Sequence, residues 1–212
     1  MLQSKLNAAI GNVQHWKQEQ STLTFYTDIA IVRVRLWQLG AWQVQVTQQH
    51  EFNDFTYAID QPFEDGSFEL EQVNELLLLK TKEGTLEINL KPFRVRLLNT
   101  SGNPLVEEDP AFGSSWIGQQ VFHYRKLQPN EKFIGLGEKT ERLNRAGRAY
   151  TNWNTDHFGY KDGSDPLYAS IPFFMGVHSN GAYGIFYDNS HKSEFNFGAV
   201  SYTHLRAHET VL

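Results

Sequence analysis

Residues 133–186 read FIGLGEKTERLNRAGRAYTNWNTDHFGYKDGSDPLYASIPFFMGVHSNGAYGIF. A short apolar strand runs into Gly135-Leu136-Gly137-Glu138, and a charged turn follows. Next comes a loop dense in aromatics, Asn and Asp: Trp153, Asn154, Asp156, His157, Phe158, Tyr160, Asp162 and Asp165. Two apolar runs, SIPFFMGV and YGIFYD, close the stretch. A connection of about thirty residues between strands is too long to be mere linkage, and loops of that length are functional or disordered. Large aromatics without blocks of like charge argue against disorder. Flat apolar faces interleaved with short polar groups are what sugar recognition needs: rings for C–H surfaces, Asn and Asp for hydroxyls. The residues alone therefore point to a carbohydrate-facing loop.

Outward from this loop the chain reads as strands. Period-two or short apolar patterns predict strands at 22–27, 30–37, 41–47, 55–59, 67–71, 75–81, 85–90, 93–99 and 119–127. In AIVRVRLW, Val32, Val34 and Leu36 alternate with Arg33 and Arg35, which gives one apolar and one wet face. ELLLLKT carries helix-prone leucines, but its seven residues sit between strands and are read as strand. About a dozen short strands with almost no helix predict an all-β, two-sheet sandwich. Residues 1–11 are expected to form at most one weak helical turn.

The 212 residues suffice for one sizeable core. A net charge of −5 with interspersed signs gives no basic face for nucleic acid or an anionic membrane. The absence of cysteine excludes a disulfide scaffold, Cys-ligated zinc and a thiol nucleophile. No apolar leader is read in residues 1–16, so a cytoplasmic location is expected, with no membrane partner. Neither a cofactor nor a metal site is expected. His204 and His208 stand four apart, but no third ligand accompanies them.

Four linked pieces, GLGEKTERLNRAG, WNTD, DPLYASIPFF and YGIFYDN, carry a resemblance to the N-terminal domain of glycoside hydrolase family 31, the α-glucosidase and α-xylosidase family. DPLY-SIPFF looks more like the α-glucosidase branch. The resemblance is clear over 116–198, and toward the N-terminus only the strand pattern supports it. It implies a galactose-mutarotase-like supersandwich, a retaining hydrolysis of terminal α-linked glucose, and an α-gluco-oligosaccharide substrate. It also implies a following (β/α)8 barrel, and with it both catalytic carboxylates; nothing in this chain resembles that barrel.

Two segments are then expected: an N-terminal β-sandwich domain at 1–199 and a non-native tail at 200–212. The tail VSYTHLRAHET resembles one reading frame of a transposase adapter used in short-read sequencing, and its polar residues are expected to interrupt the strand pattern.

No catalytic residue is expected in the chain. Asp162 and Asp165 lie in KDGSDP, which is turn chemistry. The family resemblance carries a sugar-contacting role to Asp156, with a loop-structuring role as the alternative. Trp153 either floors the sugar or buries in the sandwich, and His157, Phe158 and Tyr160 are weaker candidates. GLGEKT is not a phosphate loop, because Glu138 rather than Gly precedes Lys139. Its glycines are read as a sharp turn at a sheet edge, and Glu138 and Lys139 as an interdomain contact or a solvated pair. No His/Glu pair is recognised for mutarotase-type chemistry. A carbohydrate-binding module and a purely structural docking domain remain alternatives to the front end of an enzyme.

Overall fold

In the computed structural model, residues 8–60 and 64–199 and the backbone of 204–210 are described. They contain no α-helix. The chain divides into two compact units, Ala8–Pro104 and a second that runs from Leu105.

The first unit holds β1 (Ala8–Ala9), β2 (Val13–Glu19), β3 (Thr22–Thr27), β4 (Ile31–Trp37), β5 (Ala41–Thr47), β6 (Glu69–Val73), β7 (Leu76–Lys80), β8 (Thr85–Leu90) and β9 (Phe93–Leu98). Strands β2–β5 form one antiparallel meander and β6–β9 another. Alternation works as expected: Leu23, Phe25, Val32, Val34 and Leu36 are buried. In ELLLLKT, Leu77 and Leu79 face the core while Leu76 and Leu78 are only half-buried. The Phe25 ring meets Phe93 at 5.3 Å, joining the two sheets as a sandwich. Left-handed Asn74 (φ 55°) sits in a two-residue turn that pairs Val73 with Leu76. That turn places β6 two residues later than the periodicity suggested.

The strand expected at 55–59 does not form. Asn53 Oδ1 accepts the Phe55 N–H and Thr56 Oγ1 accepts the Ala58 N–H. Such local bonds offer the backbone an alternative to a ladder. The face expected to be wet is also partly covered. The Arg33 guanidinium lies 4.4 Å from the Phe52 ring centroid, donates to Gln45 and pairs with Asp54.

The second unit comprises β10 (Pro104–Glu107), β11 (Ser114–Ile117), β12 (Gln120–Lys126), β13 (Lys132–Gly137), β14 (Ala149–Asn152), β15 (Ser170–His178), β16 (Gly181–Phe186), β17 (Ser193–Asn196) and β18 (His204–Thr210). One sheet runs β11-β12-β18-β17-β14 and another β13-β15-β16. Between them lie Phe133, Leu136, Tyr150, Phe174, Tyr183, Phe195 and Phe197. Phe174 touches Phe195 at 6.1 Å and Phe197 at 5.1 Å edge-to-face, and Phe133 stacks on Phe197 at 4.5 Å. Each large ring buried this way contributes on the order of 1.5–3 kcal/mol.

Two expectations change here. The long connection is not one loop, because β14 divides it and pairs with β17. The backbone at His204–Thr210, expected to break the pattern, forms a strand paired antiparallel with both β12 and β17. A ladder uses only main-chain groups, so polar side chains do not forbid it.

Candidate functional site: the tethered loop at 153–168

The loop departs from a distorted strand. Gly135, Leu136 and Gly137 all have positive φ (137°, 69° and 76°), and the β13–β15 register shifts between the two glycines. The feature lies at a sheet edge as expected, because β13 is an edge strand, and it takes the form of a bulge within the strand. It drives Leu136, fully buried, into the core. Both glycines are required by close approach as well. A Cβ on Gly135 would lie 2.4 Å from the Phe173 carbonyl oxygen, and one on Gly137 2.5 Å from that of Ala169.

Past the bulge, Glu138 donates its N–H to the Ala169 carbonyl at 2.8 Å and the chain turns Lys139 inward. The solvated reading of Lys139 is overturned: its side chain is 1% exposed. Its ammonium donates to Asp165 at 2.5 Å and to the Thr151 carbonyl at 2.7 Å, and lies 5.9 Å from the Tyr150 ring centroid. Asp165 also accepts the Thr151 N–H. Asp165 is thus more than a turn former, because it fastens the C-terminal end of the loop to β14. Asp162 keeps the turn role, in a reversal closed by the Ser164 N–H on the Lys161 carbonyl, with Gly163 at φ 83°.

Two further tethers hold the loop. The Thr155 N–H donates to the Leu167 carbonyl at 2.8 Å, next to the buried Leu167 side chain. Asn154 Oδ1 accepts the Ser170 N–H at 2.8 Å. Farther out, the Tyr168 hydroxyl donates to the His157 carbonyl at 2.8 Å, and His157 Nδ1 lies 3.3 Å from the Pro166 carbonyl. His157 is therefore half-buried and engaged with the loop's own backbone.

Asp156 is exposed, and among the described residues its carboxylate has no hydrogen bond or ion pair. Its neighbour is Tyr168, whose phenol is held above its ordinary value first by desolvation and then by the Asp156 charge. Trp153 is 50% exposed, so the alternative of burial in the sandwich is excluded. Phe158 is 97% exposed, and Tyr160 and Tyr168 face each other edge-on at 6.1 Å. The loop therefore brings together two exposed carboxylates, Asp156 and Asp162, and several exposed rings. Sequence reasoning missed Tyr168, although its place in DPLY marked it as a ring at the loop's exit, and it missed the Lys139–Asp165 pair. It also missed a His/Glu pair: His123 Nε2 lies 3.5 Å from Glu108 Oε1, with Ser114 Oγ 2.6 Å from His123 Nδ1. Glu108 and Ser114 are buried, out of reach of a sugar arriving from solvent.

Comparison with known proteins adds the following. The family model described as the glycosyl hydrolase 31 N-terminal galactose mutarotase-like domain matches residues 20–196. The alpha-glucosidase 2 of Bacillus thermoamyloliquefaciens is 30% identical over 190 residues, which is 89% of this chain and 24% of the relative. An alpha-glucosidase of Saccharolobus solfataricus is 39% identical over 85 residues, 40% of this chain and 12% of the relative. Among solved structures, a family 31 dextranase of Flavobacterium johnsoniae complexed with isomaltotriose superposes with a TM-score of 0.86 at 26% identity, over 95% of this chain and 25% of that one. The chain spans about a quarter of the length of the first of these relatives and of the dextranase.

Proposed function

Because the chain belongs to the N-terminal galactose mutarotase-like domains of glycoside hydrolase family 31, we propose that it is the front portion of a retaining α-glucosidase, contributing its 153–168 loop to the substrate pocket. In this reading a following (β/α)8 barrel carries the nucleophile and the acid/base, about 5 Å apart as retention requires. The substrate is an α-gluco-oligosaccharide cleaved at its terminal glucose, a reading supported by the α-glucosidase relatives. In this reading residues 200–212 are not native sequence, although the backbone of 204–210 fills a strand of the sheet, and resequencing the source locus across the codon for Ala199 tests that assignment.

The observation that carries the proposal is the state of Asp156: an exposed carboxylate without an internal partner, on a loop tethered at both ends. A charged acceptor held in place binds sugar hydroxyls without first surrendering a bond of its own. A hydrogen bond to a charged group contributes about 1.5–3 kcal/mol. In the full-length enzyme, Asp156→Ala should therefore lower kcat/KM for maltose by about 10- to 150-fold. An unchanged kcat/KM would refute the role. The purified 212-residue chain should release no glucose from maltose. Maltose binding by that chain in calorimetry, with Asp156→Ala silent in the full enzyme, would favour a carbohydrate-binding module instead.

A further inference from the structure

The return leg of the loop, residues 163–165, forms one wall of a cavity of about 260 Å³, and residues 139–141 and 147–150 form others. Two ion pairs line it, Lys139 with Asp165 and Arg148 with Glu141. The Tyr150 hydroxyl also donates to Glu141, at 3.0 Å. The Thr140 hydroxyl oxygen accepts the Gly163 N–H at 2.9 Å, and the Ser164 hydroxyl oxygen accepts the Lys161 N–H at 2.9 Å. Each of these two hydroxyls can still donate its own proton. Glu141 has lone pairs, and the Arg148 guanidinium N–H groups, beyond the bonds just named. Missing side chains keep the space open. A Cβ on Gly147 would meet nothing within 4 Å, and one on Gly163 would come 3.4 Å from Glu141 Oε1.

We propose that this cavity is a second saccharide site, separate from Asp156, and that it binds one neutral pyranose ring. Charge decides the class of ligand. An anion would meet the carboxylates of Glu141 and Asp165, and a cation would meet Lys139 and Arg148. An apolar ligand would leave the same groups desolvated and unbonded, which costs free energy. Sugar hydroxyls each donate and accept, so neighbouring hydroxyls on one ring can serve Glu141 and Arg148 together. Size sets the length. The cavity is smaller than the roughly 300–1,000 Å³ of sites for drug-sized ligands, so it suits a single ring rather than a chain. Position gives the binding a consequence. Ser164 belongs to the loop, whereas Glu141 and Arg148 precede it, so a ring bonded to both sides adds a tether to the return leg. All the lining groups belong to this chain, so the site goes beyond the proposed function and needs no catalytic barrel.

Titration of the isotope-labelled 212-residue chain with glucose, followed by amide NMR, tests the site. Saturable shifts should centre on the Thr140, Gly147, Gly163 and Ser164 amides, with a Kd of about 1–10 mM, as befits a few hydrogen bonds to one ring. Hydrogen exchange at Gly163 and Ser164 should slow when glucose is bound. Glu141→Gln, which keeps the shape of the side chain and removes its charge, should raise the Kd by about fivefold. Ala149→Leu, at an exposed lining position, should abolish binding by filling the space even if Glu141→Gln fails to fold. Asp156→Ala should leave the Kd unchanged. The absence of glucose shifts in the folded chain overturns the proposal, and so does binding that survives Ala149→Leu. Shifts centred on residues 153–158 and lost in Asp156→Ala also overturn it, because they assign the sugar to the loop tip. Sodium phosphate is the control for charge: the same amides responding to phosphate but not to glucose would make this an anion site and refute the reading. Asp156→Ala kinetics in the full-length enzyme test the substrate-pocket role alone, so each proposal can fail without the other.

Discussion

Replacing Lys139 with methionine keeps the stem of the side chain and removes its charge. The lost groups can be counted. The ammonium bonds Asp165 at 2.5 Å and the Thr151 carbonyl at 2.7 Å, from a position only 1% exposed. Breaking a buried pair from one side costs about 3–5 kcal/mol, because the partner's charge is left unpaired. Here the lower end applies. Asp165 is 19% exposed and keeps the Thr151 N–H, so its orphaned charge is partly solvated and partly bonded. The expectation is a loss of about 3 kcal/mol in urea unfolding, read in the transition of the unit that begins at Leu105. Asp165→Asn in the Lys139→Met background should recover part of it, with a coupling of about 1–3 kcal/mol in the double-mutant cycle. Hydrogen exchange gives a local readout: the Thr151 and Thr155 amides, at the two tethers, should lose protection before the core amides of β15. A Lys139→Met loss below about 1 kcal/mol, the level of an exposed ion pair, would refute the claim that this pair fastens the loop.

Gly135→Ala places a methyl against the Phe173 carbonyl, so strain and overpacking add to about 2–4 kcal/mol. Gly147→Ala, at φ 80° with nothing within 4 Å of the new Cβ, should cost only the left-handed strain of about 1–2 kcal/mol. Equal losses in thermal or urea unfolding would contradict the close-approach argument. Burial holds the Glu131 carboxyl above its ordinary value of 4.5, against the opposing hydrogen bond from the Tyr183 hydroxyl at 2.6 Å. A raised folded pKa means that folding favours the protonated form. This contribution is therefore complete below about pH 4.5 and is lost as pH rises through the higher folded value. Glu131→Gln should flatten that part of the stability–pH curve, and an unaltered slope would exclude Glu131 as its source.

Strands with clean alternation were legible because the period itself is the signal. TLTFYT, AWQVQVT and TLEINL begin and end where the pattern does. The four-residue strands β11, β14 and β17 were not legible. In β11, Ser114, Ser115 and Trp116 are all buried, so no period survives to be read. The 55–59 segment failed the other way, since an aromatic-rich run was captured by the Asn53 and Thr56 side chains. At the site, the residue types of the loop could be read but not their partners. KDGSDP looks the same whether Asp165 faces water or a buried lysine twenty-six residues away. The resemblance singled out Asp156 as a candidate, whereas only the fold could show Trp153 exposed and Lys139 enclosed.

The tethers of the loop sit near its ends: Asn154 with Ser170, Thr155 with Leu167, and Lys139 with Asp165. Between them, residues 156–163 place no side chain in the core. The loop is built like a tool holder, with a fixed shank and an exchangeable bit. New side chains at Phe158 or Tyr160, or a residue added beside Gly159, would alter what the bit presents while the shank stays clamped. The surface of the loop can thus change over eight residues without disturbing the sheets that carry it.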